Sequence, residues 1–222
     1  MDRLLQGDFD MVIFLTGVGA KLLAQIIETR HPPGAFQAAL SELAVVVRGP
    51  KPSGVMREWK VPIAVLVPEP NTWKEVLAAT ENRPERRIAV QEFGRVSEEL
   101  IAGLRARGAE VTSVPVYQWE LPTDTAPLCE GAHRLARGEF DVVLFTTSIQ
   151  LTHLLQIAAE ERIEPEVTAA LRKTVIASIG PTTSEALREQ GLPPDFEPSH
   201  PKMGILVTEV LQQARGILQS KG

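Results

Sequence analysis

Short apolar runs alternate with longer amphipathic segments along this chain, the pattern of parallel β/α units. In the first half the pattern predicts strands at residues 11–15, 43–47, 63–67, 87–90 and 110–116. Helices are expected between them at 17–28, 51–60, 73–80 and 96–107. The helix at 96–107 places Val96, Leu100, Ile101 and Leu104 on one face and stops at Gly108. After a connector at 118–125 the second half predicts a strand at 142–145, a helix at 149–160 and a strand at 174–179. A helix at 183–190 follows, with Thr182 and Glu185 at capping-box spacing and Gly191 as its stop. A short strand near 194–197 and a last helix at 203–218 complete the set. That helix is expected to bury Met203, Leu206, Val207, Val210, Leu211, Ala214 and Leu218.

The two halves repeat one another. Residues 3–62 laid without a gap over 134–193, an offset of 131, share 20 identities in 60 positions. Unrelated segments agree at roughly one position in 15. Gly7, Phe9 and Asp10 meet Gly138, Phe140 and Asp141; Phe14 and Thr16 meet Phe145 and Thr147; Gly49-Pro50 meets Gly180-Pro181. A duplicated α/β unit follows. The second copy is preceded by strand, helix and strand in residues 86–117, the first by two residues. By the same offset, about 45 residues of βαβ are expected upstream of Met1.

Composition narrows the class. An apolar fraction of 44% supports a buried core, and a net charge of −5 argues against nucleic acid. One cysteine, Cys129, excludes an internal disulfide and fits a reducing compartment; it falls in the connector region of the pattern. No apolar run nears the roughly 18–20 residues that span a bilayer, and no signal peptide is visible, so a cytoplasmic protein is expected. The histidines His31, His133, His153 and His200 lack metal-ligand spacing, so no metal is expected.

Candidate chemistry gathers where strands end. Four loops follow predicted strands: Thr16-Gly17-Val18-Gly19, Gly49-Pro50-Lys51, Phe93-Gly94-Arg95, and the pair Thr147-Ser148-Ile149 with Gly180-Pro181-Thr182-Thr183. Open α/β sheets bind ligands there, where helix N-termini aim free N–H groups at anions. Each Thr or Ser also reads as a simple N-cap, and Lys51 and Arg95 also read as surface charges. Gly17 and Gly19 start a dinucleotide fingerprint that Leu22 breaks, and no P-loop is completed. Tyr117, the one tyrosine, reads either as an amphipathic strand-end residue or as a proton donor. No nucleophilic triad is visible.

These residues together resemble the uroporphyrinogen-III synthase family. Residues 175–193, VIASIGPTTSEALREQGLP, are similar to its IGPTTAxALxxxGLP stretch. Val116-Tyr117-Gln118 resembles its VYxT connector motif. Phe14-Leu15-Thr16 and Phe145-Thr146-Thr147 resemble its FTS strand ends, and Gly108-Ala109-Glu110-Val111 its GAEV stretch. The resemblance implies two flavodoxin-like parallel-sheet domains facing each other across a cleft. Residues 1–117 would be the complete middle domain, 118–125 the connector, and 126–222 a second domain lacking its N-terminal βαβ. It also implies closure of the linear tetrapyrrole hydroxymethylbilane to uroporphyrinogen III, with loss of water and inversion of the last ring. No cofactor, nucleic acid or membrane is implied, and the protein is expected to be a monomer.

On that reading Tyr117 is the candidate acid for the departing hydroxyl. Substrate binding is expected from Thr16, Gly17, Gly49, Lys51, Gly94, Arg95, Thr147, Ser148, Ile149, Gly180, Thr182 and Thr183. Some positions depart from the family pattern. Gly17-Val18 follows Thr16, Lys51-Pro52 replaces the AT of a GxAT loop, and Trp59-Lys60 replaces a helix-ending glycine. The departures at Gly17 and Pro52 leave an alternative open, a non-catalytic tetrapyrrole-sensing module on the same fold.

Overall fold

The computed structural model describes residues 2–94 and 96–221. Arg95 lies outside the described residues. The chain divides into two units, Met1–Trp119 and Glu120–Gly222.

In the first unit a short helix α1 (Asp2–Leu5) precedes strand β1 (Met11–Phe14) and helices α2 (Gly17–Glu28) and α3 (Ala35–Ser41). Then come β2 (Ala44–Arg48), α4 (Pro50–Glu58), β3 (Val65–Val67), α5 (Trp73–Ala79), β4 (Arg87–Glu92), α6 (Glu98–Ala106) and β5 (Glu110–Pro115). The strands form one parallel sheet in the order β3-β2-β1-β4-β5. The central strand β1 is buried at every residue, which is why its sequence is a continuous apolar run. Val12 and Phe14 pack with Leu23, Ile27, Phe36, Leu40 and Met56 of α2, α3 and α4. Met11 and Ile13 face the other way, toward Val76 of α5 and Leu100, Ile101 and Leu104 of α6.

The second unit holds α7 (Ala126–Ala136), β6 (Val142–Phe145), α8 (Ser148–Glu160), α9 (Glu164–Lys173), β7 (Val175–Ser178), α10 (Pro181–Glu189) and α11 (Met203–Lys221). Its strands pair in parallel, with Val142 opposite Val175. Met11 stands opposite Ala44 in the first unit. Both pairs are related by the offset of 131, so the repeat preserves register as well as sequence. Among the described residues β6 pairs with β7 alone, whereas β1 is flanked by β2 and β4. Residues 142–144 are accordingly only half-buried.

Several expectations are corrected. Helices α1, α3, α7 and α9 do not follow from the pattern; α9 buries just Val167 and Leu171, too few apolar anchors to show a period. Cys129 sits half-buried in α7, not in a connector. Helix α6 starts at Glu98, leaving Val96 48% exposed. Helix α10 starts at Pro181 with Gly180 as its N-cap, so Thr182 lies inside the first turn and forms no capping box. The strand near 194–197 reduces to one bridge between Ala177 and Phe196. Helix α11 buries Leu206, Val210 and Ala214, but Met203 and Leu211 are 66% and 67% exposed and Val207 is exposed too.

Candidate functional site

In the first unit the strand order reverses between β1 and β4. The chain runs from β1 out to β2 and β3, then returns to the opposite side of β1. The crevice outside the carboxyl ends at such a point is where doubly wound sheets bind ligands.

Thr16 closes β1 with extended backbone, and its hydroxyl accepts the N–H of Gly19 at 3.0 Å, capping α2. The Thr16 N–H and hydroxyl both donate to Oε1 of Gln91, at 3.1 and 3.3 Å. Gln91 is buried and its Nε2 donates to the Glu92 carbonyl at 2.7 Å. A Cβ on Gly19 would overlap the Gln91 amide, and one on Gly17 would stand 2.9 Å from the Lys51 carbonyl oxygen. Both glycines are therefore places where α2 meets its neighbours too closely for a side chain. Gly49 caps α4 with φ +84°, and exposed Lys51 occupies the first turn beside Pro50.

The ends of β4 and β5 are tied together past the strands. The Gly94 N–H donates to the Tyr117 carbonyl at 2.9 Å. Gly94 has φ +68°, and a Cβ there would stand 2.8 Å from Cδ1 of Trp119, so both backbone and space require glycine. The Tyr117 ring lies between Phe93, with centroids 6.3 Å apart, and Trp119, at 5.8 Å in an edge-on contact. Glu92 is buried beneath this group; the Ser113 hydroxyl donates to it, as does the Ser97 N–H at 2.7 Å.

Arg48 completes the cluster. It ends β2, its Nε donates to the Leu15 carbonyl at 3.3 Å, and its guanidinium sits 5.1 Å above the Phe93 ring. Burial lowers its pKa from the ordinary arginine range to about 10, and nearby Tyr117 acts in the opposite sense. It remains a cation at neutral pH.

Thr16, Gly17, Gly49, Lys51, Gly94 and Tyr117 thus share one sheet edge. Phe93 of the Phe93-Gly94-Arg95 loop joins them, as do Arg48, Gln91 and Trp119, which the sequence pattern did not mark. The signal for Arg48 is present in the sequence: a charged residue directly closes the buried run Ala44-Val45-Val46-Val47, an unusual ending for a core strand.

The second unit repeats the pattern in polar form. Thr147 is the N-cap of α8, and the Gln150 side chain accepts the N–H groups of Thr146 and Thr147 at 2.8 and 3.3 Å. Ser148 and Ile149 form the first turn. Beside them Gly180 is held by the Ser178 hydroxyl, which donates to its carbonyl at 3.0 Å. Thr182 is exposed in the first turn of α10, while Thr183 is 4% exposed and packs inward. Thr183 is therefore a packing residue on this geometry and Thr182 the accessible one. Among the described residues no group of three or more His, Cys, Asp or Glu side chains is placed to hold a metal ion. Among them, too, no helix is long and apolar enough to cross a membrane.

Known proteins resemble this chain in sequence and fold. The family model described as uroporphyrinogen-III synthase HemD matches residues 1–208. A Methanothermobacter thermautotrophicus protein named "Putative uroporphyrinogen-III synthase" is 30% identical over 187 residues, covering 83% of this chain and 71% of that protein. "Uncharacterized protein YjjA" of Bacillus subtilis is 28% identical over 204 residues, covering 90% of this chain and 75% of that protein. A crystal structure of mutant uroporphyrinogen III synthase from the extremely thermophilic bacterium Thermus thermophilus superposes with a TM-score of 0.69 at 22% identity. That match covers 97% of this chain and 81% of the other, and shows likeness of fold. The chain belongs to the uroporphyrinogen-III synthase family.

Proposed function

We propose that the chain cyclises hydroxymethylbilane to uroporphyrinogen III, with loss of water and inversion of the last ring, as a step of tetrapyrrole biosynthesis. Family membership supports the reaction class. The observation that carries the site is the placement of Tyr117 at the sheet edge, with an arginine and two aromatic rings around it. Departure of the terminal hydroxyl leaves an azafulvene that the adjoining pyrrole already stabilises. Tyr117 O–H protonates the leaving oxygen, so that water rather than hydroxide departs. What remains is to hold the ends of a flexible chain in the geometry that inverts the last ring. Positioning of this kind supplies about 7–11 kcal/mol of a barrier. Helix N-termini suit that task, since each contributes about 0.3–1 kcal/mol toward a carboxylate. Lys51 adds a full charge at one of them.

The sensing alternative draws on the departures at Gly17 and Pro52. The approach of the Lys51 backbone accounts for Gly17, and Pro52 is buried in the first turn of α4. Both have packing reasons and neither favours loss of catalysis.

The test is turnover of freshly made hydroxymethylbilane, resolving the type III from the type I isomer. Spontaneous closure yields type I. In Tyr117→Phe we expect turnover slowed by about 10–10⁴-fold, with a matching rise in type I. A Phe variant with the unaltered rate and isomer ratio would remove Tyr117 from the chemistry. Absence of type III product from the unaltered protein would overturn the synthase reading.

A further inference from the structure

Arg48 is a cation set among apolar and aromatic groups, and its hydrogen-bonding capacity is mostly unspent. A guanidinium carries five N–H donors in a rigid fork. Here Nε is engaged by the Leu15 carbonyl, and one face is covered by Phe93. No acceptor among the described residues meets either terminal nitrogen, and no carboxylate among them lies within 4 Å. The Arg48 side chain is partly exposed to solvent. Glu92, the nearby buried carboxylate, spends its oxygens on Ser113 and Ser97. Arg48 is also held in place: β2 fixes its backbone, the Leu15 carbonyl fixes Nε, and the Phe93 ring fixes the plane. The fork is therefore preorganised, and its open end lies on the same edge as Tyr117.

We propose that Arg48 is a carboxylate anchor, taking one acetate or propionate side chain of the tetrapyrrole through both terminal nitrogens. This rests on the synthase reading and extends it to a specific residue. A planar fork–carboxylate pair fixes orientation as well as position, which a lysine ammonium does not. Arg48 is a substrate-binding residue, not a proton donor.

Two readouts test it. The first is turnover of hydroxymethylbilane by the unaltered protein, Arg48→Gln and Arg48→Lys. The second is fluorescence titration of the same proteins with the octacarboxylate uroporphyrin III. In Arg48→Gln we expect the Kd for uroporphyrin and the KM for hydroxymethylbilane each to rise about 10–100-fold, the effect of losing a charge-assisted pair, with kcat within about threefold. Arg48→Lys should fall between, since it keeps charge without the fork. Should the Gln variant fail to fold, Arg48→Met keeps the stem against Phe93 and carries the same expectation. If turnover is intact but neither KM nor Kd moves, the anchor is wrong and the synthase reading stands. If the unaltered protein binds uroporphyrin without turning over hydroxymethylbilane, and Arg48→Gln weakens that binding, the anchor stands and the synthase reading falls. If it neither binds nor turns over, both fall.

Discussion

At the scale of single residues, the repeat sets up a natural comparison at the end of α4 and α10. Both helices close in the same hydrogen-bonded motif. The Lys60 N–H donates to the Arg57 carbonyl at 3.1 Å and the Val61 N–H to the Met56 carbonyl at 2.9 Å. In the second unit Gly191 donates to Arg188 at 2.9 Å and Leu192 to Leu187 at 3.0 Å. The pivot residue is left-handed in each, with φ +58° at Lys60 and +66° at Gly191. Only one of them is glycine. A lysine there carries roughly 1–2 kcal/mol of backbone strain, partly offset by the greater freedom glycine would have in the unfolded chain. Lys60→Gly should therefore stabilise the first unit by about 0.5–1 kcal/mol in denaturant titration. A loss of stability would show that the lysine side chain contributes more than its backbone strain removes. The lysine was legible as a departure from the helix-ending glycine of the family it resembles. Arg48 was not, because a strand pattern records which residues are apolar and not which donors are left over at its end.

At the scale of elements, Asp10 shows how the first sheet is pinned. It precedes β1, and its carboxylate accepts the Arg87 N–H at 2.9 Å and the Arg87 Nε and Nη2 at 3.1 and 2.6 Å. Its own N–H donates to the Arg87 carbonyl at 2.8 Å, while its carbonyl accepts the Ala44 N–H at 3.0 Å. One residue thus sets β2, β1 and β4 in register at their starts. The side-chain and backbone bonds from Arg87 hold the Asp10 pKa at about 2, below the ordinary 3.8. A folded pKa below the unfolded value stabilises above the unfolded pKa. That contribution fades as pH falls from about 4 toward 2. Asp10→Asn should be less stable than the parent by about 1 kcal/mol at pH 7, the worth of charge-assisted bonds at a partly exposed site. The difference should shrink as pH falls below about 4 and close near pH 2, as the folded parent carboxylate takes up its proton. A difference that persists unchanged into that range would assign it to shape rather than charge. Strand positions and helix α2 were legible because their apolar periods are complete. Helices α7 and α9 were not, since each shows the solvent many residues and the core few. Nor could the pattern show that α10 would begin on Pro181. Glycine as an N-cap leaves no side-chain signature, whereas Thr182 three residues before Glu185 offers a misleading one.

For the whole molecule, duplication of sequence has not produced duplication of support. In the first unit β1 is paired on both edges and packed on both faces, and its residues 11–13 are buried. Their counterparts in β6, residues 142–144, have β7 on one edge and no described strand on the other, and are only half-buried. On one face α11 packs over β7 through Leu206, Val210 and Ala214, leaving Met203, Val207 and Leu211 to solvent. Backbone amides exchange with solvent according to the free energy of the opening that exposes them, and two-stranded sheets are marginal by themselves. Hydrogen exchange read by mass spectrometry should therefore separate the units. Peptides spanning β1 and β2 should exchange at least about tenfold more slowly than those spanning β6 and β7, although the two pairs share register. The comparison is internally controlled, because Val12 and Val143 are the same residue at the same repeat position. Equal protection of the two strands would mean that β6 is held as firmly in solution as β1. The extra strand β4 would then not be what distinguishes the first unit.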